Sequence, residues 1–134
     1  MKRTVSVNHN LSLLEINAIW RFDNMGLSAD ILALHPALPL KEIPGSLQIS
    51  SQGDGQLINK TITAECGKLN AGIHESLQLL SNMPVIAIYD DAAGNRRICG
   101  SPDYPLILSY EEGEESFMIT LSGKMTKTDF YLHA

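Results

Sequence analysis

Two acidic segments in the C-terminal half carry the side chains best suited to binding a cation. Asp90-Asp91 follows one apolar run, and Glu111-Glu112-Gly113-Glu114-Glu115 follows another. In an antiparallel meander alternate turns lie at the same end of the sheet, so residues 90–91 and 111–115 would share one rim. Calcium takes several oxygen ligands, which makes this rim a candidate calcium site. Neither segment has the alternating spacing of a calcium loop, and solvated turns are the interpretation that we prefer.

The fragment AAGNRR, residues 92–97, combines a glycine with two arginines and could in principle hold a phosphate. Backbone N–H groups near a glycine and arginine side chains both bind anions. The fragment lacks the G-x-x-x-x-G-K-[ST] pattern of a phosphate-binding loop. Gly94-Asn95 is also a typical pair for a tight turn, and we therefore predict a hairpin here.

The four histidines do not define a catalytic or metal-binding motif. No two of them have the spacing of metal ligands, and none lies beside an evident nucleophile; they are His9, His35, His74 and His133. Cys66 and Cys99 are far apart in sequence and are predicted to be buried free thiols rather than a disulfide or a metal knuckle. We therefore predict a protein that is not an enzyme, with no catalytic, cofactor-binding or metal-ligating residue and no cofactor.

Composition indicates one ordinary globular domain spanning residues 1–134, with residues 1–10 as a candidate disordered arm. Of the 134 residues, 44% are hydrophobic and 19% are charged, which suits a folded core. The net charge of −5 gives no reason to expect a nucleic-acid partner. No export signal and no membrane-spanning run is evident, so we expect a cytoplasmic location and no contact with a membrane.

Periodicity predicts mostly strands. Residues 14–22 alternate as a half-buried strand, residues 46–66 form a hairpin, and residues 27–45 are predicted as a loop with one helical turn that Ser28 would cap. Asn70 can cap a helix of about residues 70–82, with Ile73, Leu77 and Leu80 on one face. Strands then follow at residues 85–89, 96–99, 105–110, 116–123 and 128–133.

The resulting fold class is α+β, mainly β: an antiparallel sheet sandwich or small barrel with one flanking helix at about 70–82. Residues 85–89 are apolar on both faces, which is typical of a central strand. Aromatic residues, Trp20 and Phe22 among them, lie on or beside the predicted strands, where core packing is their usual role, while Tyr104 and Phe130-Tyr131 are candidate exposed contact residues.

The segment VIAIYDDAAGNRRICGSPDYPLILSY, together with the helix before it, resembles small prophage-encoded proteins of Bacteroidetes. The similarity lies mainly in residues 71–110, and Arg21-Phe22-Asp23 matches a second short motif near the start. The acidic turn at residues 111–115 has no counterpart in that group. These motifs are composed of strands and turns and include no chemical signature.

The resemblance implies a structural role in a virion neck, connector or tail. Its partners would be further copies of itself and other virion proteins, and its final location would be the virion. Acidic rims meeting basic pairs such as Arg96-Arg97 would then set the register between subunits. The alternative from another class is a small ligand-binding or calcium-binding β domain that uses residues 90–91 and 111–115.

Overall fold

The computed structural model describes residues 8–54, 57–67, 71–125 and 129–132, and confirms an α+β, mainly β fold with one helix. The sheet is mixed and unclosed rather than wholly antiparallel. Its elements are β1 (His9–Glu15), a 3-10 turn (Ile16–Ala18), β2 (Ile19–Asn24), β3 (Ser28–Ala33), β4 (Leu38–Pro39), β5 (Gln48–Asp54), β6 (Leu57–Gly67), α1 (Ala71–Leu80), β7 (Pro84–Asp90), β8 (Arg96–Cys99), β9 (Leu106–Glu112), β10 (Ser116–Met125) and β11 (Phe130–Leu132).

Strand β7 lies at the centre of the sheet, as its apolar sequence predicts. One edge pairs with β1 along residues 85–90, and the other edge pairs with β8 and then with the start of β9. Residues Val85 to Tyr89 are all buried. A strand covered on both faces needs apolar residues at every position, which explains the unbroken run VIAIY.

Strands β8 and β9 follow one edge of β7 as a single long strand with an interruption. Cys99 pairs with Ala87 and Leu106 pairs with Val85, so residues 100–105 form an insert between two collinear segments. Within the insert, Ser101 and Tyr104 exchange backbone hydrogen bonds of 3.1 Å in both directions. Strands β10 and β11 follow the outer edge of this long strand in the same interrupted way, β10 along β9 and β11 along β8.

Two hydrophobic cores lie on opposite faces of β7. Val85, Ala87 and Tyr89 face the larger core, which β6, β9, β10 and α1 enclose. Ile86 and Ile88 face the smaller core, whose other buried members are Leu14, Ala18, Ala29, Ile98 and Phe130. Both cores therefore depend on one strand.

Helix α1 covers the larger core through one apolar face. Ile73 and Leu77 are buried, and Leu80 packs against the same cluster, as the spacing predicts. Glu75 and Gln78 are exposed. The proposed cap Asn70 lies outside the described residues. No helix among the described residues has the length and apolar character needed to cross a membrane.

The single strand predicted for residues 14–22 is wrong. The 3-10 turn divides it, because β1 pairs with β7 whereas β2 pairs with β3. Leu13 and Leu14 are both buried, one in each core, since β1 is covered on both faces. Of the predicted arm at residues 1–10, His9 and Asn10 belong to β1, and residues 1–7 lie outside the described part.

The predicted loop at residues 27–45 contains two strands. Ser28 begins β3 instead of capping a helical turn, because this segment pairs antiparallel with β2 and parallel with β11. Tertiary pairing outweighs the weak local preference for a helix. Strand β4 is only two residues long, which suits Pro39 because proline is confined to short or edge strands.

Candidate functional site

The two acidic turns lie at opposite ends of the sheet. Strand β7 is antiparallel to both β8 and β9, so β8 and β9 run in the same direction. The Asp90-Asp91 turn follows the C-terminal end of β7, whereas residues 111–115 lie beyond its N-terminal end. The expected meander, with β8 between β7 and β9, is wrong, and the shared acidic rim that it implied does not form.

The turn at residues 91–95 is the predicted hairpin turn. The Asp91 carboxylate accepts hydrogen bonds from the backbone N–H groups of Ala93 and Asn95, at 3.0 and 2.8 Å. Gly94 has a φ of 89°, which glycine adopts without steric cost. The Asn95 N–H is the main reason that the pKa of Asp91 lies below its ordinary value. This carboxylate therefore acts within its own turn.

Arg96 and Arg97 are engaged inside the chain. Arg96 Nη1 lies 3.1 Å from Asp90 Oδ1, and Arg97 Nη1 lies 3.4 Å from Asp91 Oδ2. Arg97 also donates to the backbone carbonyl of Asp129 at 2.6 Å and lies 4.1 Å over the ring of Tyr131. Arg97 thus links the hairpin turn to β11, and both guanidinium groups have carboxylate partners within the chain.

The three described histidines lie apart, each near a different carboxylate. His9 Nε2 lies 3.8 Å from Asp90 Oδ2. His74 Nε2 lies 3.8 Å from Glu112 Oε1, and the His74 ring packs on Phe117. His35 is 3.3 Å from Glu15. His133 lies outside the described residues. Over the described part of the chain, no group of three or more His, Cys, Asp or Glu side chains is placed to hold a metal ion.

A buried polar cluster joins β6, β7 and the residue that precedes β11. Lys60 Nζ lies 3.2 Å from Asp129 Oδ1, and the exposed fractions of the two side chains are only 8% and 3%. Tyr89 donates its hydroxyl hydrogen to Asp129 Oδ2. Lys60 also donates to Ser51 Oγ at 2.6 Å. We call Lys60, Asp129 and Tyr89 the core triad.

Burial strongly affects the titration of the groups near the triad. Loss of solvent raises the pKa of Tyr89, and the adjacent Asp129 carboxylate raises it further. The pKa of Cys99 is raised by burial first and then by the charge of Asp129. Both side chains therefore stay protonated across the physiological range.

The sequence held a partial signal for this cluster. Within β6 the buried positions alternate as Lys60, Ile62, Ala64 and Cys66, so the lysine lies in phase with three core residues. A lysine at an inward position requires a buried acceptor. The acceptor itself, Asp129, follows no periodic pattern, because it precedes the short strand β11.

An apolar groove of about 460 Å³ separates helix α1 from residues 35–39. Leu79, Leu80 and Met83 form one wall, and Leu13 and Leu38 contribute to the other. The His35–Glu15 pair lies at this groove. His35 is held between the Pro36 carbonyl, at 2.9 Å from Nδ1, and Glu15, and these two acceptors raise its pKa, with the carbonyl contributing most.

The β2–β3 hairpin exposes large apolar side chains to solvent. Their exposed fractions are 71% for Trp20, 79% for Leu27, 53% for Leu32 and 64% for Leu34, and we call these four residues the hairpin surface. Trp20 was expected to be a core residue; it lies instead at an irregularity in the β2–β3 register. Phe130, predicted to be a candidate contact residue, is buried against Phe22.

Comparison of the chain with family models, curated proteins and solved structures gives no match.

Proposed function

We propose that this chain is a non-enzymatic assembly subunit that acts by self-association, in the setting of a virion neck or tail. The hairpin surface carries the proposal. The four side chains all lie on or beside one hairpin, and apolar exposure gathered in one region of a protein marks interaction sites. The prophage resemblance supports the virion setting.

The edge of the sheet beside this surface supports a second copy of the chain as the partner. Among the described residues β2 pairs with β3 alone, so its outer edge presents free backbone donors and acceptors. Such an edge is a template for pairing with another strand. A symmetric pair of subunits would join β2 to the partner's β2 antiparallel.

Charge along β2 complements itself in one register of that pairing. Arg21 and Asp23 lie on one face of the strand, 2.8 Å apart, and both are exposed. If the symmetry axis passes beside Phe22, Arg21 lies opposite the partner's Asp23 and Asp23 opposite the partner's Arg21. Directly opposed unlike charges stabilise a strand pair, and like charges destabilise it.

The first experiment is sedimentation velocity over a wide range of concentrations. We expect the wild-type chain to associate reversibly, and Trp20→Ser and Leu32→Ser to shift the chain toward monomer. Met118→Ser is the matched control, because Met118 is 46% exposed on β10, which lies on the other side of β7 from the β2–β3 hairpin in the strand order. A wild-type chain that is monomeric at every concentration would overturn the proposal, as would equal effects of all three variants.

Charge reversal tests the register. Arg21→Asp alone and Asp23→Arg alone should each weaken association, because like charges then face each other. The double variant should associate again, and an equimolar mixture of the two single variants should form heterodimers. Association that is unchanged in both single variants would exclude this register while leaving self-association itself intact.

The virion setting is tested by the genes beside this one. We expect them to encode capsid, portal, neck or tail proteins. A neighbourhood of metabolic genes without any virion component would count against the setting and would leave the assembly role to the sedimentation results.

A further inference from the structure

The core triad has the arrangement needed for an internal amide bond. We propose that Lys60 and Asp129 condense to form an isopeptide bond, with Tyr89 as the catalytic hydrogen-bond donor. The reaction needs no cofactor and no second substrate. It would join β6 covalently to the residue that precedes β11.

Proton transfer within the pair supplies the reactive forms of both side chains without an outside acid or base. The Lys60 and Asp129 side chains are 92% or more shielded, which follows from their exposed fractions of 8% and 3%. The neutral amine is the nucleophile, and the neutral carboxyl group is the electrophile.

The reacting groups are held in place from several sides. Ser51 Oγ accepts from Lys60 Nζ at 2.6 Å, and Arg97 fixes the backbone carbonyl of Asp129 at 2.6 Å. Lys60 Nζ lies 3.2 Å from Asp129 Oδ1, yet Oδ1 has no hydrogen-bond partner among the described residues. Close, fixed reactants reach effective concentrations of about 10⁵–10⁸ M.

The step balances within the pair. One proton passes from Lys60 Nζ to Asp129 Oδ1, and the amine lone pair then attacks Cγ to form the C–N bond. Negative charge develops on Oδ2, where the Tyr89 hydroxyl donates its hydrogen bond. A second Nζ proton moves to Oδ1, the C–Oδ1 bond breaks, and water leaves. An ammonium and a carboxylate have become an amide and one water molecule.

Exclusion of water also favours the product. Hydrolysis of the amide needs a water molecule at Cγ, and the surrounding core residues Tyr89 and Cys99 are only 5% and 0% exposed. A closed, apolar site suppresses such reverse reactions. Once the released water molecule has left the core, the amide is protected from hydrolysis.

The test is the intact mass of the full chain under denaturing conditions. We expect a mass lower by one water than the sequence requires, and a branched peptide that joins residues 60 and 129 after proteolysis. Lys60→Arg should have the full mass, whereas Lys124→Arg, at an exposed lysine of β10, should keep the deficit. Asp129→Asn should lose ammonia instead and reach the same product.

Tyr89→Phe should lower the fraction of linked chain, and complete linkage in this variant would exclude the role given to Tyr89. A wild-type chain whose measured mass equals the mass calculated from its sequence would by itself overturn the proposal. A water loss that maps to a succinimide, which hydroxylamine opens, would overturn it equally.

Discussion

At the scale of single residues, the described part of the chain buries a lysine and an aspartate inside the fold. Lys60 and Asp129 form a charged pair within an otherwise apolar core. Breaking such a pair leaves one charge buried without compensation. The pair therefore fixes how β6 and β11 are placed relative to each other, whether or not the amide has formed.

Lys60→Met should destabilise the fold by about 3–5 kcal/mol, because Asp129 then stays buried without its cation. Lys60→Met combined with Asp129→Leu should be more stable than Lys60→Met alone, since no charge remains. Denaturant unfolding measures both. Lys124→Met is the control at an exposed position and should change stability by less than about 0.5 kcal/mol. A double variant that is less stable than the single one would contradict this interpretation.

Cys66 should be inert toward iodoacetamide at about pH 8 while the chain is folded, because the thiolate is the reactive form. Burial, aided by the charges of Glu42 and Glu65, raises the pKa of this thiol from 9.0 to about 11. Rapid labelling of the folded chain, read by peptide mapping, would contradict the burial.

The same shift predicts how stability changes with pH. Between about pH 9 and pH 11 the unfolded chain loses a thiol proton that the folded chain keeps, so stability should fall as pH rises through this range. The fall should be shallower in Cys66→Ala. Thermal unfolding at several alkaline pH values measures the difference, and identical slopes would exclude a contribution from Cys66.

At the scale of elements, the interruption between β8 and β9 lets both strands pair with the same edge of β7. The insert brings the carbonyl of Pro105 close to β10 at Gly123, where a Cβ atom would lie 2.7 Å from that oxygen. A side chain at position 123 would collide with this carbonyl oxygen. The close approach of the insert to β10 therefore favours glycine at position 123.

Gly123→Ala should cost about 1–3 kcal/mol, the usual range for overpacking. Gly53→Ala is the matched control, because Gly53 also lies in a strand and a Cβ there meets nothing within 4 Å. Thermal and denaturant unfolding compare the two variants. Equal stability of both would show that the backbone at residue 105 moves away freely.

The sequence predicted strands far better than their order. The bounds of β6, β7, β8 and α1 were anticipated to within a few residues, because each has a clear period or turn signal. The collinear arrangement of β8 and β9 along one edge of β7 was not predictable, because the SPDY segment between them has the composition of an ordinary turn. The core triad was not predicted because Lys60 and Asp129 are 69 residues apart in sequence and come together only in the folded chain.

At the scale of the whole molecule, the two cores share β7 and cannot separate without breaking its pairing. Ile86 and Ile88 face one core while Val85 and Ala87 face the other. A perturbation of either core therefore acts on the other. This supports one cooperative unit.

Unfolding should follow a single transition with equal calorimetric and van't Hoff enthalpies. Ile119→Ala in the larger core and Ile98→Ala in the smaller one should each cost about 2–5 kcal/mol and shift that same transition. Both side chains are almost fully buried. Two separate transitions, or a shift in only part of the signal, would show independent units.

The late position of β11 has a consequence for synthesis on the ribosome. Phe130 belongs to the smaller core, and Asp129 lies in the larger one, so both cores await the last residues described. Strand β1 ends at Glu15, yet its partner β7 begins only at Pro84, so this pairing is long-range in sequence. The nascent chain must keep the apolar strand β1 unpaired until β7 has been made, which makes early release or truncation before that point a route to aggregation.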